Sequence, residues 1–260
     1  MDPAALTTFY AQVPVFLLVL VRMGALFVTA PVLGGPYAPT TAKALLTVAV
    51  TLVVMPSVAH HAAPPPLDLS YLVLIARELM VGLTFGFVVN LAFHGVRAGG
   101  ELINRHAGFS AAENFDPETD FGAGPMGDLM HMLVVLLFLA TDLHLHLIAS
   151  MARSFELIPL GGWTLTPGFA RILDQGVLQM WTIAIALSFP VLTAVMLITV
   201  AEGVITRAVP QINVLHISFA IKILVSVLVM WATMPAAVAF LGTVLRMSQG
   251  LGEACLMAMR

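Results

Sequence analysis

Apolar residues run along this chain in long blocks, at residues 13–33, 44–59, 69–96, 129–152, 177–201 and 214–245, with polar residues gathered between them. A lipid hydrocarbon core is crossed by about 20 residues of helix, so the second block is short for a span and the last is long enough to bend at Pro235. Helix breakers mark the connections. Gly34, Gly35, Pro36 and Pro39 follow the first block, Pro64, Pro65 and Pro66 the second, and Pro159, Gly161 and Gly162 the fourth. The pattern predicts an all-α membrane protein, a bundle of about six apolar segments forming long helical hairpins. No repeat of fixed period is present, and the breakers leave no room for a soluble domain, so residues 1–260 read as one unit.

One interval departs from the greasy pattern. Residues 97–128 hold six acids (Glu101, Glu113, Asp116, Glu118, Asp120, Asp128) and six glycines, against two bases, Arg97 and Arg105. Irregular backbone facing lipid would leave peptide groups unpaired, so this loop lies in water or lines a cavity. Glu101 and Arg105, four residues apart with the acid first, are spaced to pair on one helix face. Helix is therefore expected to continue to about Arg105 and to stop at Gly108. Residues 207–213 read as a turn between two apolar helices: Pro210 ends the first, and Gln211 and Asn213 bond freed backbone groups.

Composition agrees with the pattern. Hydrophobic residues make up 60% of the 260 and charged residues 10%, with a mean hydropathy of +0.99. Soluble domains carry about 25% charged residues, so the membrane class is indicated. The net charge of -3 includes no basic run, which argues against nucleic-acid binding and against a polybasic lipid anchor. The first block is preceded by Asp2 and no Lys or Arg, and is longer than a signal-peptide core, so it is expected to stay as a first helix. Cys255 is the lone cysteine and can form no internal disulfide. His60 adjoins His61, and His144 lies two residues before His146; helical metal ligands want spacings of three or four, so no metal is expected. Neither a nucleophile with a base nor a Gly-rich phosphate cradle is evident, so neither catalysis nor a cofactor has support.

Orientation by the positive-inside rule gives a tie. Lys43, Arg97, Arg105 and Arg207 fall on one side, and Arg153, Arg171, Arg246 and Arg260 on the other. Either a segment is miscounted or the chain does not end as an ordinary set of spans. Arg22, Arg77, Glu78, Asp142, Glu202 and Lys222 lie within or at the edge of apolar blocks, where a charge at mid-bilayer costs about 2.5 to 3.5 kcal/mol. They must face protein or water. One reading is a relay for protons or ions; the other is salt bridges between subunits, or snorkelling near helix ends, and the scatter of the charges favours the second. Asp142 and His146 are spaced to share a hydrogen bond. Gly82 and Gly86 form a small-xxx-small pair that admits another helix, from this chain or from a neighbouring subunit.

With loops and breakers placed, the chain resembles FliR, the flagellar export-gate family, and its type III secretion counterpart. The resemblance spans nearly the whole chain. It begins with Arg22 to Gly24, Ala30-Pro31 and Lys43, and continues through Arg77-Glu78-Leu79 and Gly82 to Phe87. The strongest block is Gly100-Glu101-Leu102-Ile103, Gly108-Phe109-Ser110, Asp116-Pro117, Leu136 to Leu139, and Ser154-Phe155 with Pro159 and Gly161. A second block is Arg207, Pro210-Gln211, Asn213 and Lys222. Departures are His106 for a Gln, Ala111-Ala112 for Met-Ala, Leu143 for a Gly before the histidine, and Leu215 and Ser218 for Phe and Gly.

The resemblance implies a non-enzymatic subunit of a protein export gate in the bacterial inner membrane, at the flagellar basal body. Its partners would be FliP and FliQ homologues in a hetero-oligomeric channel, an FlhB homologue nearby, and unfolded export substrates. Charges drawn into such an assembly meet other subunits in place of lipid, and the polar loop hangs in the lumen. On that expectation residues 106–127 form a plug to which Phe109, Phe115, Asp116, Pro117 and Phe121 belong, the phenylalanines supplying bulk. Burial of these rings against neighbouring helices is the alternative. Arg207, Pro210, Gln211 and Asn213 would form a hairpin tip facing the cytoplasm, and Arg22, Arg77, Glu78, Glu101, Glu202 and Lys222 would be buried or intersubunit charges. The other functional class is a stand-alone ion or small-molecule transporter using Asp142, Glu202 and Lys222.

Overall fold

The computed structural model describes residues 3–35, 39–59, 65, 68–109, 124–164, 166–208 and 214–259, without side chains for 3–11 and 214–216. Among the described residues there are seven helices and no strand: α1 (Pro3–Thr29), α2 (Thr40–Ala59), α3 (Leu69–Ala107), α4 (Pro125–Ala140), α5 (Leu143–Leu157), α6 (Pro167–Ala208) and α7 (Val214–Ala258). Five of them are long and apolar enough to cross a membrane, and the bent pair α4 and α5 would make a sixth span. The expectation of an all-α membrane protein with about six apolar segments is met.

Two boundaries differ from the hydropathy pattern for identifiable reasons. The second helix begins at Thr40, ahead of its apolar block, and the polar start brings it to 20 residues, enough to span. Lys43 does not interrupt it, because its Nζ reaches back to the carbonyls of Gly34 (3.3 Å) and Gly35 (2.5 Å). The block at 129–152 divides into α4 and α5, bent by 68°. No Gly or Pro announces that break; it rests on Asp142, which adopts a left-handed conformation (φ 54°) that Asp tolerates better than most residues. The Asp142 carbonyl then accepts the backbone N–H groups of Leu145 (3.0 Å) and His146 (3.4 Å), so the four-residue spacing is expressed through the main chain.

Helix α3 ends where its signals place the end, at Ala107, and Gly108 follows with φ 89° as a left-handed cap. Its 39 residues extend about 60 Å, roughly twice a hydrocarbon core. Helices α6 and α7, with 42 and 45 residues, are longer still. Thr166 caps α6, accepting the Phe169 N–H on its hydroxyl (3.4 Å), and Pro167 occupies the first helical position, where no N–H is needed.

The described residues group into two compact units. One comprises Met1–Leu91, Thr141–Gly176 and Met247–Arg260; the other comprises Ala92–Ala140 and Val177–Arg246. In the first, Leu18, Val19, Met23 and Leu26 of α1 and Val81, Phe85, Val88 and Val89 of α3 are buried. Each such side chain contributes about 1.5 to 3 kcal/mol on burial. A Cβ at Gly82 would fall 2.6 Å from that of Ala25, and one at Gly86 would strike the Thr29 hydroxyl, so the small-xxx-small pair admits α1 of the same chain.

In the second unit glycines again set the approach. Gly95 lies against Met180 and Ile183, and Gly99 against Ala184 and Leu187, which brings α6 close to α3. Gly100 admits Met126 and Gly127 of α4. Phe93 and Phe138 meet edge to face at 5.3 Å, and Ile103, Ala107, Val191 and Val195 form a core against which Phe109, Met126, Val229 and Met230 pack.

Candidate functional site

The first unit contains a guanidinium removed from solvent altogether. Arg22 and Glu78 are 0% and 1% exposed, and the Arg22 Nε donates to Glu78 Oε2 at 2.5 Å. Three further hydrogen bonds hold the group. Nη1 bonds the Ser154 hydroxyl (3.1 Å), both terminal nitrogens reach the Ile158 carbonyl (3.2 and 3.1 Å), and the Phe155 ring lies 4.2 Å below Cζ. Glu78 Oε1 accepts the Gly161 N–H at 2.7 Å, while Arg77 donates to the Gly161 carbonyl at 2.7 Å. Neighbouring side chains that leave α3 in different directions thus hold the two polar backbone groups of one residue. Gly161 needs its φ of 73° to be held this way, and a Cβ there would meet Leu74. The arrangement is a clamp on the turn after α5, with both Glu78 oxygens engaged in it.

In the second unit the root of the acidic loop is held from α3. Glu101 accepts Arg105 Nε on one oxygen (3.1 Å) and the Gly124 N–H on the other (3.2 Å), just ahead of α4. Arg97 and Asp128 pair at 3.4 Å in the open. Asn104, one turn beyond Glu101, is fully buried against Gly124, and neither of its amide atoms has a partner among the described residues. Sequence reasoning passed over Asn104. Its signal was an amide four residues after Gly100 and three before Ala107, on a helix face of small residues.

The third charged centre joins α6 to α7. Glu202 accepts Lys222 Nζ at 2.9 Å and the Ser218 hydroxyl, and each charged group is mostly buried. Each partner lies about one to two turns from the end of its helix, so the trio ties the last turns of α6 to the first turns of α7. Ser218 matters here although it is a departure from the family pattern. Arg207 is exposed on the last turn of α6, while Pro210, Gln211 and Asn213 lie outside the described residues. Phe115, Asp116, Pro117 and Phe121 also lie outside them. Phe109 is half-buried against the Ile103 core. Asp142 is exposed at the α4–α5 break and caps α5 by its backbone alone. Among the described residues no cluster of three metal-ligating side chains occurs.

Long apolar helices whose embedded charges are paired inside the chain define a polytopic membrane protein. The family model for bacterial export proteins, family 1, matches residues 13–248, and the chain belongs to that family. It is 29% identical over 221 residues to the flagellar biosynthetic protein FliR of Escherichia coli, covering 85% of this chain and 84% of that one. It is 29% identical over 218 residues to FliR of Bacillus subtilis, covering 82% and 83%. The Yop proteins translocation protein T of Yersinia pestis is 26% identical over 219 residues, covering 80% of each.

Proposed function

We infer that this chain is a non-enzymatic subunit of a flagellar type III export gate in the bacterial inner membrane. The observation that carries this is the agreement with proteins named FliR over more than four-fifths of both chains, within a family match that runs almost end to end. FliP and FliQ homologues complete the channel, an FlhB homologue stands beside it, and unfolded flagellar proteins pass through. The fold suits such a role. Helices α6 and α7 carry exposed Leu178, Trp181, Phe189, Leu197, Leu224 and Trp231, an apolar surface that lipid or neighbouring subunits must cover.

Residues 106–127 close the resting channel as a plug, rooted by the Phe109 packing and by the Glu101 bond to Gly124. Phe115 and Phe121 supply bulk across the path, flanked by Asp116 and Pro117. Residues 207–213 form the cytoplasmic tip of the hairpin braced by Glu202. Expression in flagellated cells lacking their own family member tests the assignment: motility returns if it is right, and normal assembly with no export defeats it. In the same cells Phe109→Gly with Phe115→Gly should raise ion leak; unchanged conductance would sink the plug.

The pairing of Glu202 with Lys222 weakens the transporter alternative, because a coupling carboxylate must exchange its partner during a cycle.

A further inference from the structure

The second unit carries two exposed surfaces of opposite character. On α6 and α7 the exposed large residues are apolar, from Leu178 to Val204 and from Ile217 to Trp231. On α3 the residues at 94, 97, 101 and 105 follow spacings of three, four and four, which place them on one helix face, and they are His94, Arg97, Glu101 and Arg105. Helix α4 adds Asp128 and His131, three residues apart. Most of this surface is open: Arg97, Asp128 and Arg105 are 45%, 62% and 70% exposed and His94 is exposed, while Glu101 and His131 are half-buried.

The stripe is balanced by its own members. Arg97 pairs with Asp128 and Arg105 with Glu101, so with both imidazoles neutral it carries no net charge. Against lipid, these four charges would cost about 2.5 to 3.5 kcal/mol each at mid-bilayer. Against a sister subunit, self-paired charges offer little to bind, since an interfacial ion pair gains from partners that lack one on their own side. Against water and a passing polypeptide the same features fit: the pairs stay hydrated, and a surface without net charge holds neither basic nor acidic segments.

We propose that the stripe formed by His94, Arg97, Glu101 and Arg105 with Asp128 and His131 lines the aqueous path of the gate and is the surface along which unfolded polypeptide slides. This rests on the export-gate reading. It assigns to this chain a stretch of conducting wall, about 16 Å along α3, distinct from the plug residues.

Thiol accessibility tests it in the assembled membrane protein. The native Cys255 is fully buried and serves as a silent background. His94→Cys, Arg97→Cys and Arg105→Cys are compared with Val200→Cys and Trp231→Cys on the apolar surface, using a membrane-impermeant cationic methanethiosulfonate. Arg105→Cys guards against misfolding, since Arg105 is the most exposed of the paired residues. The stripe thiols should react about tenfold or more faster than the apolar ones, because a thiolate forms in water and not in apolar surroundings. A stalled export substrate should protect them. Rates equal to those of Val200→Cys and Trp231→Cys overturn the proposal, and so does a stripe reactive in the lone chain but silenced by assembly without substrate, which would make it a subunit interface. Failure to recover any hetero-oligomer defeats the export-gate reading itself. The stripe is then judged in the lone chain, where unreactive thiols refute a water-facing surface and reactive ones retain it.

Discussion

Arg22 with Glu78 in the first unit and Arg97 with Asp128 in the second are the same chemical pair in opposite settings. The first is sealed from solvent, its guanidinium held by a carboxylate, a hydroxyl, a carbonyl and an aromatic face. The second lies in the open at 3.4 Å, with side chains 45% and 62% exposed. A sealed pair has paid its desolvation once and becomes indispensable as a pair, whereas an open pair contributes little to stability and is free to serve a surface.

The comparison breaks most sharply if Glu78 is truncated. Glu78→Ala leaves the Arg22 guanidinium buried without its counter-charge and should cost about 3 to 5 kcal/mol, read as loss of folded protein in mild detergent. Replacing both partners, Arg22→Met with Glu78→Leu, should recover most of that loss; a double variant no better than Glu78→Ala would mean that the bonds to Ile158 and Gly161, and not the charge pair, carry the site. Gly86→Leu comes next. It drives a side chain into Thr29 and should cost about 1 to 3 kcal/mol or more, while the same change at Gly203, which has open space around it, should do little. Glu202→Gln keeps the shape of the hairpin brace but removes its charge, for about 2 kcal/mol, measured as earlier loss of hydrogen-exchange protection in the last turns of α6 and first turns of α7. Arg97→Ala should change stability by less than about 1 kcal/mol. A collapse of the fold on that last change would erase the distinction between the two pairs.

Much of this was legible in advance because lipid imposes a simple rule: apolar length gives span, and breakers give connection. The end of α3 at Gly108 and the pairing of Glu101 with Arg105 follow from local spacing alone. The α4–α5 break was not legible, since Asp142 supplies a left-handed turn without Gly or Pro. Nor was the clamp. Arg77 and Glu78 stand out as charges in an apolar block, but their common target, Gly161, lies more than eighty residues away and becomes a partner only through packing. Asn104 stayed hidden for the opposite reason, being an ordinary amide until the glycines around it exclude water.

An export-gate subunit lives in company. Native mass spectrometry of the tagged chain, extracted in mild detergent from cells coexpressing FliP and FliQ homologues, reads this directly. One copy of this chain inside a larger hetero-oligomer is the predicted result. A stable particle built from this chain alone would contradict the export-gate subunit and return the paired charges of α6 and α7 to the transporter reading.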